Sequence, residues 1–260
     1  MRSEAITVLA AMVASLAVQL ASAAEIKVLS AGAMQPGLIA VAEPFRKQSG
    51  HAINVTYATA PELRRRVGGG EVADVVLAPP AVIADLAKGG KVAAEGQTPV
   101  GRVGAGVVAR AGAPLPDIST ADALKRSLLE ADSVVYNRAS SGIYIETMLK
   151  KMRLFEQIEP KLTRYPDGTA VMHHLMKGAG KEFGFGGITD ILMYRDKGLQ
   201  LVGPLPAEVQ NYTSYAAALI AAATSPDAGR EFIRFLASPA GKELFVENGI
   251  QSSQPGGTNP

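Results

Sequence analysis

The chain contains no cysteine and no tryptophan, and aromatic residues make up only 5% of its 260 positions. The absence of cysteine excludes a disulfide framework, a thiolate metal site and a cysteine nucleophile. The three histidines lack the i, i+4 spacing of a zinc-binding helix, so no metal is predicted. The glycine-rich stretches at residues 101–106 and 178–184 do not fit a nucleotide-binding loop, so no cofactor is predicted. Scarce aromatics and a near balance of 26 basic against 24 acidic residues argue against a nucleic-acid partner.

The composition otherwise fits a folded, exported protein, with 47% hydrophobic and 19% charged residues. Residues 1–24 resemble a secretory signal peptide. Arg2 is followed by an apolar run over residues 5–20, and residues 21–23 form a small-residue cleavage site. Because the chain is cysteine-free, a bacterial periplasm is the expected destination.

Apolar strands alternate with amphipathic helices along the rest of the chain. Strand-like runs at Ile26–Leu29, Ile53–Tyr57 and Ala73–Leu77 are each followed by helical periodicity, and the same alternation returns after Val103–Arg110. A strand spacing of roughly thirty residues with helices between predicts an α/β fold with a mainly parallel, helix-covered sheet.

Loops made mostly of small residues at the strand-to-helix junctions are the main functional signal. They lie at residues 30–33, 58–60, 137–141 and 167–169, with a fifth candidate at 186–189. In open α/β sheets such loops lie at the carboxyl ends of strands, where ligands bind. The helix beyond each loop offers unpaired N–H groups that favour an anion, and small side chains let the anion approach them.

Several segments carry a resemblance to a known family: IKVLSAGAM, INVTYATAPELRRRV, ADVVLAPP, SSGIYIETMLKKM, FGFGGITDI and SPAGKELFVENGI. On these segments, from residue 26 to 250, the chain resembles periplasmic solute-binding proteins of the molybdate-binding type. The resemblance implies a two-lobed type II fold of mixed, mainly parallel sheets, with a hinge and a central cleft. One lobe would comprise residues 25–105 plus 210–260, and the other residues 106–209. It also implies delivery of a small anion to the membrane permease of an ABC transporter. The protein is expected to be a monomer.

The resemblance breaks down at the residues that hold the oxyanion. The molybdate binders use one serine from each of the first two loops and a tyrosine from the second lobe. The corresponding positions here are Ala33, Ala60 and Gly187. Because a buried oxyanion needs most of its oxygens hydrogen-bonded, we expect weak molybdate binding and an enlarged site. The expected ligand is an organic di- or tricarboxylate.

Arginine and hydroxyl side chains are the predicted donors to such a ligand. Arg138 lies in the third loop among polar residues, and a guanidinium fork suits a carboxylate. One arginine of the triplet Arg64, Arg65 and Arg66, which mostly faces solvent on a helix, could also reach the cleft, and Arg64 is taken as the candidate. The predicted ligand-binding residues are Gly32, Ala33, Met34, Thr59, Ala60, Arg64, Asn137, Arg138, Ser140, Ser141, Gly168, Thr169 and Gly187.

Two functions remain open at this point. A binding protein for import is favoured, because the loops are rich in donors and poor in acid or base groups. The alternative is an isomerase, since aconitate isomerase is similar to the molybdate-type binders and acts on a tricarboxylate. An allylic proton shift needs a base in the cleft. No catalytic residue is assigned, because none of Tyr57, Tyr144, Glu146, Asp167 and His173 is distinguished as that base.

Overall fold

The computed structural model describes residues 23–252. The predicted signal peptide therefore lies outside the described residues, apart from its last two positions. Within residues 23–252, no helix combines the length and the apolar character that a bilayer crossing requires.

The described residues form strands and helices in alternation. The strands are β1 Glu25–Ala31, β2 Ala52–Ala58, β3 Val75–Ala78, β4 Val92–Arg110, β5 Ser133–Asn137, β6 Leu162–Tyr165, β7 Glu182–Gly187, β8 Leu199–Pro204 and β9 Tyr212–Ile220. The α-helices are α1 Gln35–Ser49, α2 Ala60–Gly68, α3 Pro80–Lys88, α4 Ala121–Glu130, α5 Ser140–Lys151, α6 Phe155–Ile158, α7 Gly168–Lys177, α8 Ile188–Leu192, α9 Pro226–Ala237 and α10 Pro239–Glu247. Short 3₁₀ turns occupy Gly32–Met34, Glu159–Lys161, Arg195–Lys197 and Ala207–Val209. The α/β class predicted from the sequence is confirmed.

The strands are ordered β2-β1-β3-β9-β4-β7-β5-β6, and β8 also pairs with β4. The outer strands of each half pair in parallel, whereas β9 and β4 make antiparallel pairs at the centre. The 19-residue strand β4 pairs first with β9 and then with β7 and β8. It therefore links the two halves of the molecule.

Each half has its own apolar core. In the first half, Phe45, Leu77 and Phe232 are buried between the sheet and its helices. In the second half the sheet is covered on both faces, with Phe185 in one cluster and Met172 in the other. The apolar core of the first half is therefore separate from the cores of the second half.

Helices α4 and α7 each begin at a residue whose side chain caps the first turn. Thr120 and Asp167 cap α4 and α7, accepting hydrogen bonds from Ala123 N at 3.1 Å and Ala170 N at 2.9 Å. Ser225, which precedes Pro226 at the start of α9, does not cap that helix with its side chain. Strand β4 also begins well before the predicted Val103, because its polar first part is held by pairing with β9.

Candidate functional site

A cavity of about 370 Å³ opens where the two halves meet. That volume is within the range of about 300–1,000 Å³ common for small organic ligands. The first wall, as we define it, comes from the first half and contains Ala31, Gly32, Ala33, Gln35, Tyr57, Ala58, Thr59 and Ala60. The second wall contains Asn137, Ala139, Ser140, Ser141, Asp167, Gly168, Thr169, Gly187, Asp190, Met193, Tyr194 and Lys197. The floor, from β4 and β9, contains Val103, Gly104, Ala105, Asn211, Thr213 and Tyr215.

The first wall is built from small and neutral side chains. Burial raises the pKa of its one tyrosine, Tyr57, to about 12, so the phenol stays protonated at neutral pH. Thr59 precedes α2 and Ala60 is the first residue of that helix. The first wall therefore offers shape, hydroxyl groups and the start of a helix, but no charge.

The third loop of the second wall is held in place by Asn137. This buried side chain accepts hydrogen bonds from Ala139 N at 2.9 Å and Gly142 N at 3.2 Å, and it donates to Ser141 Oγ at 3.2 Å. A Cβ at Gly142 would lie only 1.7 Å from the Asn137 carbonyl oxygen, so glycine is required there. The result is a rigid start to α5, with Ser140 and Ser141 lining the cavity.

Asp190 is the most unusual group in the cavity. It lies in the short helix α8, close to two glycines. The Cβ of an alanine would lie 2.9 Å from Asp190 Oδ2 at position 168 and 3.3 Å from it at position 187. No residue among 23–252 gives this carboxyl a hydrogen bond or an ion pair. Burial raises its pKa to about 6, and the negative charge of Asp167 adds to the rise.

Lys197 is the only cationic side chain among the described residues that line the cavity. Its ammonium lies 4.5 Å from the centre of the Tyr194 ring, a cation–π distance. On the floor, burial raises the pKa of Tyr215, and the charge of Asp190 raises it further. The ionisable groups are thus concentrated on the second wall and the floor.

Most of the sequence-predicted residues line the cavity. They are Gly32, Ala33, Thr59, Ala60, Asn137, Ser140, Ser141, Gly168, Thr169 and Gly187. Met34 is not among the lining residues, because its side chain is buried in the core of the first half. Arg138 is not among them either. Its N–H extends the β5–β6 ladder to the Tyr165 carbonyl, and its side chain is exposed.

The arginine triplet at residues 64–66 also lies outside the cavity. Arg64 forms an ion pair with Asp85 at 2.8 Å. Arg65 pairs with Glu62 one turn earlier on the same helix, and Arg66 pairs with Glu71. The prediction of Arg64 as a cleft residue is corrected on this ground, because all three guanidinium groups are engaged at the surface.

Two functional groups escaped the sequence analysis, namely Asp190 and Lys197. Asp190 lies inside the segment FGFGGITDI, in which a single acid after a glycine-rich strand carries no spacing signal of its own. Of the five residues considered as bases, Tyr57 and Asp167 line the cavity. Tyr144 instead donates to the Val209 carbonyl at 2.7 Å.

The remaining two base candidates are also engaged or placed elsewhere. Glu146 pairs with Lys150 at 2.6 Å and with Arg164 at 3.0 Å. His173 is exposed and packs edge-on against the Tyr194 ring. No cluster of acidic or histidine side chains within residues 23–252 is arranged to hold a metal ion.

Comparison with solved structures shows the fold. The periplasmic molybdate-binding protein of Azotobacter vinelandii superposes with a TM-score of 0.74 at 14% identity, over 88% of this chain and all of the other. PEB3 bound to L-phospholactate superposes with a TM-score of 0.70 at 14% identity, again over 88% of this chain and all of the other. PEB3 comes from Campylobacter jejuni. The two-lobed periplasmic binding-protein fold expected from the sequence is confirmed.

Comparison of sequences gives a relative and a family. An aconitate isomerase from a Pseudomonas species is 28% identical over 230 residues, which are 86% of each chain. Residues 26–251 match the profile of the bacterial extracellular solute-binding proteins. Such proteins act outside the cytoplasm, in the periplasm or beyond it. On the strength of a match over nearly all the described residues, the chain belongs to the bacterial extracellular solute-binding protein family.

Proposed function

We propose that the protein captures an organic di- or tricarboxylate in the cavity between its halves, for uptake by an ABC-type importer. The observation that carries this is the lining of a cavity of about 370 Å³ by Ala33, Ala60 and Gly187. These are the positions at which the resemblance to molybdate binders implies the oxyanion donors. A small tetrahedral oxyanion would leave several of its oxygens unpaired there, at a desolvation cost.

A larger anion with separated carboxylates fits the spread of donors. Lys197 supplies one positive charge, and Ser140, Ser141 and Thr169 supply hydroxyls on the same wall. The first turns of α5 and α7 add N–H groups at the positive ends of their helix dipoles. The neighbour bound to L-phospholactate is a precedent for an organic anion on this fold.

Import requires a protein that closes around its ligand and a membrane partner that recognises the closed form. Strand β4 runs from one half to the other and, with β9, forms the floor of the cavity. A rotation about this floor would bring the two walls together, as in other hinge-closing binding proteins. The lobe boundaries at residues 105–106 and 209–210, the monomeric state, the periplasmic location and the permease partner are parts of this proposal.

The test is isothermal titration with citrate, cis- and trans-aconitate, tricarballylate and simple dicarboxylates, against molybdate, tungstate and sulfate. We expect a polycarboxylate to bind at least tenfold more tightly than any of the inorganic anions. Lys197→Ala should weaken that binding about tenfold by removing a charged partner. Arg138→Ala, the matched control from outside the cavity, should weaken it less than about threefold. Tighter binding of molybdate or tungstate would refute the proposal.

A second candidate function is isomerisation of a bound tricarboxylate. It is favoured by the unpaired carboxyl of Asp190 in the cavity and by the aconitate isomerase relative. Incubation of the protein with trans-aconitate, followed by separation of the acids, would detect cis-aconitate as product. Recovery of unchanged trans-aconitate that demonstrably binds would restrict the protein to capture.

A further inference from the structure

Capture alone does not account for the carboxyl of Asp190. A negative charge on the cavity wall opposes an anionic ligand, and Lys197 is the only cationic side chain on the described walls to offset it. An asparagine would fill the same space, donate hydrogen bonds to an anion and carry no charge. The position instead holds an ionisable group that has no hydrogen-bond or ion-pair partner in residues 23–252.

The surroundings of Asp190 keep its carboxyl in place and open to a ligand. Gly168 and Gly187 bring backbone close to Oδ2, and a side chain at either position would crowd it. The residue lines the cavity rather than the core. The charged or titratable groups that share the cavity with it are Tyr57, Asp167, Tyr194, Lys197 and Tyr215.

The acidity of this group suits proton transfer near neutral pH. Burial and the neighbouring charge of Asp167 raise the pKa of Asp190 to about 6. A general base is most effective when its pKa lies near the working pH, because it is then both ionised and basic. Asp167 is less suited to this role, since its carboxylate is occupied in capping α7.

We propose that Asp190 is the general base and then the general acid of a proton shift along an unsaturated polycarboxylate held in the cavity. This rests on the proposed function, because the ligand must first be bound through its carboxylates. The proposal assigns Asp190 as the catalytic residue. It restricts the substrate to acids with a C–H bond that is both allylic and activated by a carboxylate.

The chemistry needs no partner beyond the ligand and this side chain. The Asp190 carboxylate takes a proton from the methylene carbon, so that a C–H bond breaks and an O–H bond forms. The electron pair spreads over the allylic carbons and their carboxylates, where Lys197 and the N–H groups of α5 and α7 oppose the added charge. The O–H bond then returns its proton to the far allylic carbon, and the double bond moves by one position without oxidation or reduction.

The test is proton NMR of cis- and trans-aconitate in D₂O with the protein, beside titration calorimetry of the same acids. We expect deuterium to enter the methylene position and the two isomers to interconvert. The exchange rate should rise with pH through one ionisation at or above about 6, because the base must be ionised. Asp190→Asn should slow exchange by about 10²–10⁴-fold, the usual contribution of a general base. The Asp190→Asn variant should bind the aconitates at least as tightly as the parent protein.

Matched variants separate this role from a structural one. Asp196→Asn, an exposed acid in the neighbouring turn and outside the cavity, should exchange at the parent rate. Asp190→Glu should recover part of the rate lost in Asp190→Asn. If the parent protein binds a polycarboxylate but catalyses no deuterium exchange, this inference is overturned and the proposed function stands. The same holds if Asp190→Asn both binds the polycarboxylate and still catalyses exchange. Failure of every polycarboxylate to bind overturns the proposed function and this inference with it.

Discussion

Two aspartates withdrawn from bulk solvent occupy opposite situations in this molecule. Asp74, at the start of β3 in the first half, is fully buried and accepts hydrogen bonds from Lys27 N at 2.8 Å, Ser225 N at 2.8 Å and Thr224 Oγ1 at 3.1 Å. Asp190, in the second half, has no such bond to any described residue and lines the cavity.

The difference indicates what each region contributes. A buried carboxylate with all its donors in place ties chain segments together, and Asp74 joins β1 to the segment before α9. A carboxylate left unpaired in a cavity costs stability and is available for a ligand. The first half therefore provides a stable frame with a neutral wall, and the second half provides the wall that carries the ionisable groups Asp167, Asp190 and Lys197.

The largest effect should come from removing Asp74. Asp74→Ala removes the acceptor of the partly buried Lys27 and Ser225 N–H groups, at about 1–3 kcal/mol each. We expect a loss of about 2–6 kcal/mol in the free energy of unfolding, summed over these two groups. Denaturant unfolding monitored by circular dichroism measures it.

Asp85→Ala is the matched control for that experiment. Asp85 pairs with Arg64 at the surface, and exposed ion pairs contribute about 0–1 kcal/mol. Equal losses in the two variants would contradict the assignment of Asp74 as a structural tie.

Removing the charge of Asp190 should increase the stability of the folded protein, in contrast to removing Asp74. The pKa of Asp190 in the folded protein, about 6, is higher than the ordinary value of 3.8. Folding therefore disfavours its ionised form, and the cost is absent below about pH 4 and complete above about pH 6. Asp190→Asn should raise the free energy of unfolding at pH 8 by about 2 kcal/mol, allowing for partial contact with solvent.

Comparing the stability of Asp190→Asn with that of the parent protein at low pH provides the control for this prediction. At pH 4 and below, Asp190→Asn and the parent protein should unfold at nearly the same denaturant concentration. A variant that is less stable than the parent at pH 8 would show that Asp190 has a stabilising partner, and the contrast with Asp74 would be lost.

Backbone features of the site were predictable from sequence, since they depend on local chemistry. Small residues at 137–141 and 167–169 mark strand-to-helix junctions, and parallel strands bring such junctions to one edge of a sheet. Asp167 was recognisable as the start of α7 from its position before Gly168 and Thr169. Ten of the thirteen predicted ligand-binding residues line the cavity for this reason.

Side-chain directions were not predictable in the same way. Arg138 lies in a lining loop but is exposed, because β5–β6 pairing fixes its backbone. Arg64 could be placed on a helix, but its partner Asp85 lies on another helix and depends on how α2 and α3 pack. Asp190 is a single acid after a strand, and only the folded structure shows that no donor among residues 23–252 reaches it.

The most direct test of the account is whether Asp190 takes up a proton when a polycarboxylate binds. Anionic groups placed against Asp190 should raise its pKa further, so binding at pH 7 should be coupled to proton uptake. Titration calorimetry in buffers of different ionisation enthalpy measures the number of protons taken up. The account predicts a fractional uptake for the parent protein that falls close to zero in Asp190→Asn. The same uptake in both proteins would show that the ligand does not bind against Asp190, and would contradict the central claim.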